Sequence, residues 1–437
     1  MARASRKNIE SFNKQSKDLL EFNQPSEYTY SDEEIKGTVI ALFKDGNKVD
    51  SFDDEGEVIF DKTPFYAEMG GQVADTGEIE NDDIKALVTQ VSKAPNKQHL
   101  HHVKLLYGEL KVGDKLLLKV DHAKHFAISK NHSGTHLLQT ALIEVLGDEC
   151  KQKGSYVDEN YLRFDFSFTR KLTSVELSRV ERKVNEFIAQ KLSEKTLVLP
   201  IEEANKVGAI SLFGEKYGDV VRVVTFGDVS KEFCGGNHVK NSADIGVFVI
   251  QSEEAIASGV RRIQATTGLS AYEYLKSKDD LLNEAKNTLE AKSEKEILTR
   301  SKTLLNEKKE LLNTVDKLTK TIANFKIENV LDELKENKFS VKYFDDLGRD
   351  GLMNVIDGVK AKCSDYVLVL IGKEGDKHPL LVSVSKSFND NKVFAGNIVK
   401  KVTSILGGNG GGKPELAQGS VVSLDKINQI TKEFVLN

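Results

Sequence analysis

Nine histidines and three cysteines are spread over 437 residues, yet three of the histidines and one of the cysteines fall into two regular pairs. In Asn131-His132-Ser133-Gly134-Thr135-His136-Leu137-Leu138 the two histidines stand four apart, and the helix-like run continues through Gln139, Ala141, Leu142 and Val145. Residues i and i+4 share a helical face, so both imidazoles can reach one metal ion. Cys234-Gly235-Gly236-Asn237-His238 repeats that spacing, and its two glycines allow a tight turn beneath the sulfur. Either pair alone reads as an ordinary helix surface or a satisfied core pair. Together they offer three imidazoles and one thiolate, a donor set suited to tetrahedral zinc.

The elements that must position these residues follow from pattern. Residues 1–25 are charged and Gly-free up to Pro25, and read as the tail of a helix from a preceding domain, so the chain is expected to be a truncation. From 26 to 120 apolar residues alternate between turns such as Asp45-Gly46-Asn47, which predicts short strands curled into a small β-barrel. Within it lies Thr63-Pro64-Phe65-Tyr66-Ala67-Glu68-Met69-Gly70-Gly71-Gln72-Val73-Ala74-Asp75-Thr76-Gly77, whose paired glycines suit either a bulge or a close backbone approach to a ligand. From 121 to 268 helix and strand signals mix: a metal-bearing helix over about 130–147, a strand over 161–168, a helix over 174–192, and strands at 220–224, 245–250 and 260–263. This is an α+β domain whose ligands come from a helix and a strand-end loop.

Residues 269–336 contain no Gly or Pro, and Leu275, Leu282 and Leu289 repeat by seven. The phase slips after Lys292-Ser293-Glu294-Lys295, and a new stripe runs through Leu304, Leu311, Val315, Leu318, Ile322 and Phe325, which predicts an antiparallel helical hairpin or coiled coil. From 337 to 437 a compact α/β globular domain is expected, with buried strands at 366–371 and 380–384. Its run Gly407-Gly408-Asn409-Gly410-Gly411-Gly412-Lys413-Pro414 reads as a loop offering backbone N–H groups to phosphate. Lys386, Lys392, Lys400, Lys401 and Lys413 make a local basic surface, which fits an RNA backbone or an ordinary solvated face.

Composition bounds the rest. A chain this long is expected to hold several domains, and the overall class is α+β multidomain. There is no run of eighteen apolar residues and no apolar core near the N-terminus, which argues against a membrane span or secretion. Cys150, Cys234 and Cys363 are too few and scattered for a disulfide framework, so a cytoplasmic setting is expected. The net charge of −5 leaves any nucleic-acid binding to local patches.

Four stretches, HSGTHLL, CGGNH, TPFYAEMGGQVADTG and Gly259-Val260-Arg261-Arg262-Ile263, resemble the editing domain of alanyl-tRNA synthetases. GGNGGGKPELAQG resembles the C-terminal tRNA-binding domain of the same family, also found in DHH-type phosphoesterases. The resemblance covers essentially the whole chain in the family's order. No stretch resembles the class II aminoacylation core, and threonyl-tRNA synthetase editing domains lack the glycine cluster. The resemblance implies hydrolysis of the ester of tRNA(Ala) mischarged with serine or glycine, either as half of a synthetase or as a free-standing editing protein acting in trans, or else a tRNA-binding module with structural zinc. Editing is needed because a pocket for alanine cannot exclude glycine and rejects an added hydroxyl poorly.

It also implies zinc held by His132, His136, Cys234 and His238, either activating carbonyl or water or, with four protein ligands filling the shell, positioning. Gln152 matches a pocket position of the family, with Thr63, Gln72 and Thr76 as further pocket candidates for the hydroxyl or the adenosine. Arg163 and Arg261 are expected either at phosphate or in structural ion pairs. Lys400, Lys401, Gly410, Gly411, Gly412 and Lys413 are expected to contact tRNA; the chain would either form a homodimer through the hairpin or the C-terminal domain, or use the hairpin only as a spacer between two domains.

Overall fold

The structure, a computed structural model, describes residues 17–30, 33–211 and 218–435, and the chain divides into two compact units, Met1–Leu281 and Leu282–Asn437. The expected helical tail lies mostly outside the described residues, which begin with the short helix α1 (Lys17–Glu21).

In the first unit, a short strand β1 (Glu27–Tyr28) precedes β2 (Ile35–Lys44), β3 (Glu55–Phe60) and a short β4 (Lys62–Thr63). Then come β5 (Gly77–Glu80), β6 (Lys85–Lys93), β7 (His99–Tyr107) and β8 (Lys115–Val120). Six of these follow the order β8-β5-β6-β7-β3-β2, and β2 pairs back onto β8 with Lys115 opposite Thr38, so the barrel closes. Closure leaves no free edge and fills the interior from alternate positions such as Val39, Val58, Ile79, Val88, Val103 and Leu118.

Helix α2 (His122–Leu146) starts eight residues before its apolar run because Asp121 caps it, its carboxylate accepting the Lys124 N–H at 3.1 Å. It lies on a four-stranded antiparallel sheet. That sheet is built from β9 (Gln152–Val157) and β10 (Leu162–Ser167), with two later strands. Helix α3 (Ser174–Ala189) opens with a Thr173/Glu176 capping box. A three-stranded sheet follows, made of β11 (Glu194–Pro200), β12 (Val220–Phe226) and β13 (Ser230–Phe233). The strands β14 (Phe248–Ala257) and β15 (Val260–Thr267) complete the four-stranded sheet in the order β9-β10-β15-β14. The expected strand at 245–250 is shorter at its start, since Ser242–Ile245 is a 3-10 turn capped by Asn241.

Leu137, Leu138, Ala141 and Leu142 of α2 pack against Leu162, Phe164, Phe166, Ile263 and Ala265 of the sheet. Gly134 allows the close approach: a Cβ there would lie 3.1 Å from Thr267 Cγ2 and 3.3 Å from Leu162 Cδ2. A truncation such as Phe164→Ala in this core costs about 3–5 kcal/mol.

Helix α4 (Gly268–Thr288) crosses from the first unit into the second, where α5 (Glu294–Asn337) follows a break at 289–293, the place where the leucine phase slips. The last third of α5 belongs to the core of the second unit: Ile327, Val330 and Leu334 pack on helix α6 (Arg349–Lys362). Earlier in α5 the apolar stripe at Leu311, Val315, Leu318 and Phe325 is exposed. The sheet comprises β16 (Phe339–Tyr343), β17 (Val367–Ile371) and β18 (His378–Val384), followed after helix α7 (Ala395–Leu406) by β19 (Gly408–Gly412) and β20 (Leu416–Val421). Their order is β16-β17-β18-β20-β19, with only β16 and β17 parallel.

The glycine run is thus an edge strand and not the expected loop. A Cβ on Gly410 would sit 2.4 Å from Val399 Cγ1 of α7 and 2.7 Å from the Gln418 carbonyl, and one on Gly412 2.5 Å from Ala417 Cα. Glycine is required there by the closeness of helix and neighbouring strand. No helix among the described residues is long and apolar enough to cross a membrane.

Candidate metal centre

His132 and His136 project from the middle of α2, and Cys234 and His238 lie in the loop that leaves β13. One ligand atom from each falls within 4.8 Å of the others. Cys234 Sγ stands 3.3 Å from His132 Nε2 and 3.2 Å from His238 Nε2. Tetrahedral zinc with bonds of about 2.3 Å to sulfur and 2.0 Å to nitrogen separates such atoms by about 3.5 Å. The donor set therefore fits zinc in both chemistry and spacing.

The tautomers are set from outside the cluster. Gln72, fully buried, accepts the Asn237 N–H on Oε1 at 3.0 Å, which orients its amide; the same oxygen accepts His132 Nδ1–H at 2.7 Å. Ser133 Oγ donates to the Ser129 carbonyl at 2.8 Å, so it accepts His238 Nδ1–H at 3.1 Å and the Val239 N–H at 3.1 Å. With Nδ1 protonated on both rings, each Nε2 lone pair is left toward Cys234. This is the outer-shell arrangement that orients metal-ligating histidines. His136 Nδ1 faces the Glu232 carboxyl at 3.8 Å and has no hydrogen bond among the described residues.

Burial governs the protonation of the cluster. Desolvation, with the Arg222 charge second, holds the His132 imidazole down at about 3, and desolvation and neighbouring imidazoles hold His136 and His238 well below the usual range. All three are neutral, as ligands must be. Desolvation also pushes the Cys234 thiol up to about 12 and the Glu232 carboxyl up to about 8. Burial outweighs the nearby Arg222 charge, so the sulfur is held toward its protonated form, and a bound metal would supply the stabilisation the thiolate needs.

The loop itself is pinned. Arg222 Nη1 donates to the carbonyls of Cys234 at 2.9 Å and Gly236 at 2.8 Å, and the Gly236 N–H reaches Cys234 Sγ at 3.4 Å. Gly236 cannot carry a side chain, since a Cβ would lie 2.1 Å from His132 Cε1 and 2.7 Å from Gln72 Oε1. Arg222 interrupts the apolar run Val220-Val221-Arg222-Val223-Val224, a signal in the sequence that went unused.

A cavity of about 240 Å³ opens on His132, His136 and Cys234, and its lining among the described residues includes Tyr66, Met69, Gln139, Gln152, Ser155 and Glu232. Of the expected pocket residues, Gln152 lines this cavity, whereas Gln72 stands behind His132. Thr63 lies inside the barrel, its hydroxyl 2.8 Å from His101 Nε2 and accepting the Phe65 N–H at 3.1 Å, and it does not line the cavity. Thr76 gives its carbonyl to the Asp121 N–H at 2.8 Å. Gln139, missed in the sequence, is buried with Oε1 unpartnered, and Glu232 was missed because nothing local marks it as facing His136.

The two arginines expected near phosphate differ. Arg261 is 8% exposed and its Nε donates to Glu253 at 2.5 Å, an ion pair within the sheet. Arg163 lies over the Tyr156 ring at 5.6 Å with Asp165 at 3.9 Å, half-buried. Arg262 forms a two-pronged pair with Asp165 at 2.6 and 2.8 Å. In the second unit Lys400 and Lys401 are exposed on α7, and Lys413 sits in the turn between β19 and β20. Lys413 also lines, with Lys360 and Lys386, a cleft of about 810 Å³. Gly410, Gly411 and Gly412 lie in the edge strand β19.

Three family models match the chain: "tRNA synthetases class II (A)" over residues 1–124, "Threonyl and Alanyl tRNA synthetase second additional domain" over 221–264, and "DHHA1 domain" over 336–435. The first covers the barrel residues, a match to a class II synthetase model that the sequence motifs alone do not predict. Alanine--tRNA ligase of Staphylococcus saprophyticus is 40% identical over 425 residues, 96% of this chain and 48% of that protein. That of Staphylococcus epidermidis is 38% identical over 446 residues, 100% of this chain and 51% of that protein. The chain spans about half the length of the curated relatives it matches. Among solved structures, the C-Ala domain from Aquifex aeolicus alanyl-tRNA synthetase matches at 29% identity and a TM-score of 0.21, over 22% of this chain and 86% of that one.

Proposed function

The chain is a relative of the alanyl-tRNA synthetases that corresponds to about half of their length, and from that premise we propose that it hydrolyses the ester linking serine or glycine to mischarged tRNA(Ala). The observation that carries this reading is the quartet His132, His136, Cys234 and His238, of which the first three line a cavity of amino-acid size. These four would hold zinc, whose contribution when bound is Lewis acidity toward an ester carbonyl or a water.

The chain's own residues do the rest. Gln72 and Ser133 keep the imidazole lone pairs aimed at the metal position, Arg222 holds the loop, and Gln152, Tyr66 and Met69 wall the cavity against bulk water. The barrel and the metal-bearing sheet together form the editing half, residues 269–336 a helical spacer, and 337–437 a domain that grips tRNA. In that last domain Lys400, Lys401 and Lys413 neutralise phosphates, and binding therefore weakens steeply with salt. A homodimer would form through the exposed stripe of α5 at Leu311, Val315 and Leu318; a monomer in sedimentation velocity removes that part of the reading.

One observation favours a second reading. Four protein ligands complete a tetrahedral shell, as in purely structural zinc sites. The chain would then anchor tRNA without cleaving it. Deacylation of Ser-tRNA(Ala), with Ala-tRNA(Ala) as control and Cys234→Ala alongside, separates the two. Hydrolysis of the serylated tRNA alone, lost in the variant, is the expected result; binding of both tRNAs with cleavage of neither refutes the hydrolase.

A further inference from the structure

The segment at the start of the described chain ends on the metal loop. Leu19 is buried on the barrel, and the backbone carbonyls that follow are taken by barrel amides: Asn96 Nδ2 donates to Leu20 and Phe22 at 2.9 and 2.7 Å, Gln98 Nε2 to Phe22 and Gln24 at 3.1 and 3.2 Å. The strand β1 then pairs in parallel with β4, Tyr28 opposite Thr63, and the Thr29 N–H donates to the Thr63 carbonyl at 3.0 Å. From this rail two hydroxyls reach the Cys234–His238 loop, 209 and 205 residues away. Tyr28 OH donates to Asn237 Oδ1 at 2.7 Å, and Tyr30 OH to the Gly235 carbonyl at 3.1 Å.

Both rings are held in place themselves. Tyr28 stacks on His99 with centroids 5.2 Å apart and meets Tyr66, which lines the cavity, edge-on at 5.9 Å. The Arg222 guanidinium lies 4.4 Å over the Tyr30 ring while its Nη1 binds the Cys234 and Gly236 carbonyls. Tyr30 has φ of 47°, a left-handed conformation that a bulky residue rarely adopts and that persists only when its surroundings enforce it.

Each residue of the loop therefore has an external partner. Arg222 takes the carbonyls of Cys234 and Gly236, Tyr30 that of Gly235, Tyr28 the Asn237 side chain, and Ser133 the His238 ring. The loop needs such partners. Two adjacent glycines leave its backbone unusually free, and ordering each costs more entropy than any other residue. Without the clamp, Cys234 and His238 would sample positions outside ligand range of α2.

We propose that Tyr28 and Tyr30 are positioning residues for the metal-binding loop, making the segment 17–30 a strap that fixes two of the four ligands. The inference rests on the reading of the quartet as a metal site, and its test uses zinc alone, so failure of ester hydrolysis would leave it standing. The chain is loaded with one equivalent of Zn²⁺, and release to a chromophoric chelator is timed for the parent, Tyr28→Phe, Tyr30→Phe and the double variant. Each Tyr→Phe change keeps the ring and removes one hydrogen bond, expected to speed release by a factor of about 5, and the double change by about 25.

Tyr30 is 42% exposed, so its variant does not threaten folding. Phe52→Leu, a core change in the barrel remote from the loop, serves as the destabilised control and should release zinc at the parent rate. Variant rates equal to the parent's overturn the proposal. So does equal acceleration by Phe52→Leu, which would reduce the effect to general loss of stability. A parent that takes up no zinc removes the premise and the proposal together.

Discussion

Replacing Gln72 by Met tests whether the metal site depends on a residue that touches no metal. The amide is fully buried, and its Oε1 serves two donors, His132 Nδ1–H at 2.7 Å and the Asn237 N–H at 3.0 Å. Its Nε2 has no partner among the described residues, so the side chain is held for its oxygen at the expense of its own N–H. Methionine matches the volume and supplies no acceptor. Two buried N–H groups are then orphaned, each costing about 1–3 kcal/mol whether or not metal is present. The His132 tautomer is also released, and loss of such an outer partner weakens metal binding about 10- to 100-fold, or roughly 1.4–2.7 kcal/mol.

The two effects separate in the assay. Thermal unfolding of the metal-free chain reads the orphaned donors, and competition with a chromophoric chelator reads the tautomer. Gln72→Glu is the informative partner: it keeps the acceptor, removes the unpartnered N–H and places a carboxylate on His132 Nδ1, so affinity should return to within a few-fold of the parent. If Gln72→Met holds zinc as tightly as the parent, His132 is not oriented by Gln72 and the account of the site is wrong.

Three further outcomes are expected. Gln139→Leu should lower hydrolysis of Ser-tRNA(Ala) more than that of Gly-tRNA(Ala), because its buried Oε1 at the cavity, without a partner among the described residues, is placed to accept from the serine hydroxyl that glycine lacks; a lost acceptor is worth about tenfold in rate. His101, wholly buried between Phe60 and Phe65, has its imidazole held down to about 4, mainly by desolvation. Its folded value lies below the ordinary 6.5, so its contribution is complete above pH 6.5 and is lost as pH falls toward 4. That loss amounts to about 3 kcal/mol, so His101→Gln should make the drop in stability between pH 7 and pH 4.5, read from the urea midpoint, smaller by about that amount, the other buried imidazoles accounting for what remains. Gly410→Ala should destabilise the second unit by about 1–3 kcal/mol through contact with Val399, read as a lower melting temperature, while Gly411→Ala, where nothing lies within 4 Å, should not.

What is legible in the sequence is whatever is local in the chain. An i, i+4 pair on a helix declares its own geometry, so His132 with His136 was legible, and period-two alternation between turns was enough for the barrel. The helix start at Asp121 escaped because His122, Ala123 and Lys124 carry no apolar rhythm, although the capping aspartate was visible. The glycine run reads as a loop and is a strand. Glycine spacing alone cannot distinguish a free loop from a strand stripped bare so that a helix can lie against it, as Val399 2.4 Å from a Cβ on Gly410 shows.

The same limit separates the ligands from what aims them. A metal site is specified twice: once by four donors, and again by groups that choose which ring nitrogen faces inward. The donors carry local spacing, whereas Gln72 acts across 60 residues, Ser133 across 105 and the tyrosines across more than 200. No periodicity connects such positions. Their only trace in the chain is a polar residue where the local pattern wants an apolar one: Gln72 in a buried turn, Arg222 inside a run of valines, Gln139 on the inner face of a core helix. Each breaks its own element's rule, and each is found in the structure beside the metal ligands. A polar residue that a buried element tolerates without local reason is thus the sequence's pointer to the residues that orient a site, and Gln72→Met is the direct measure of whether that pointer can be trusted here.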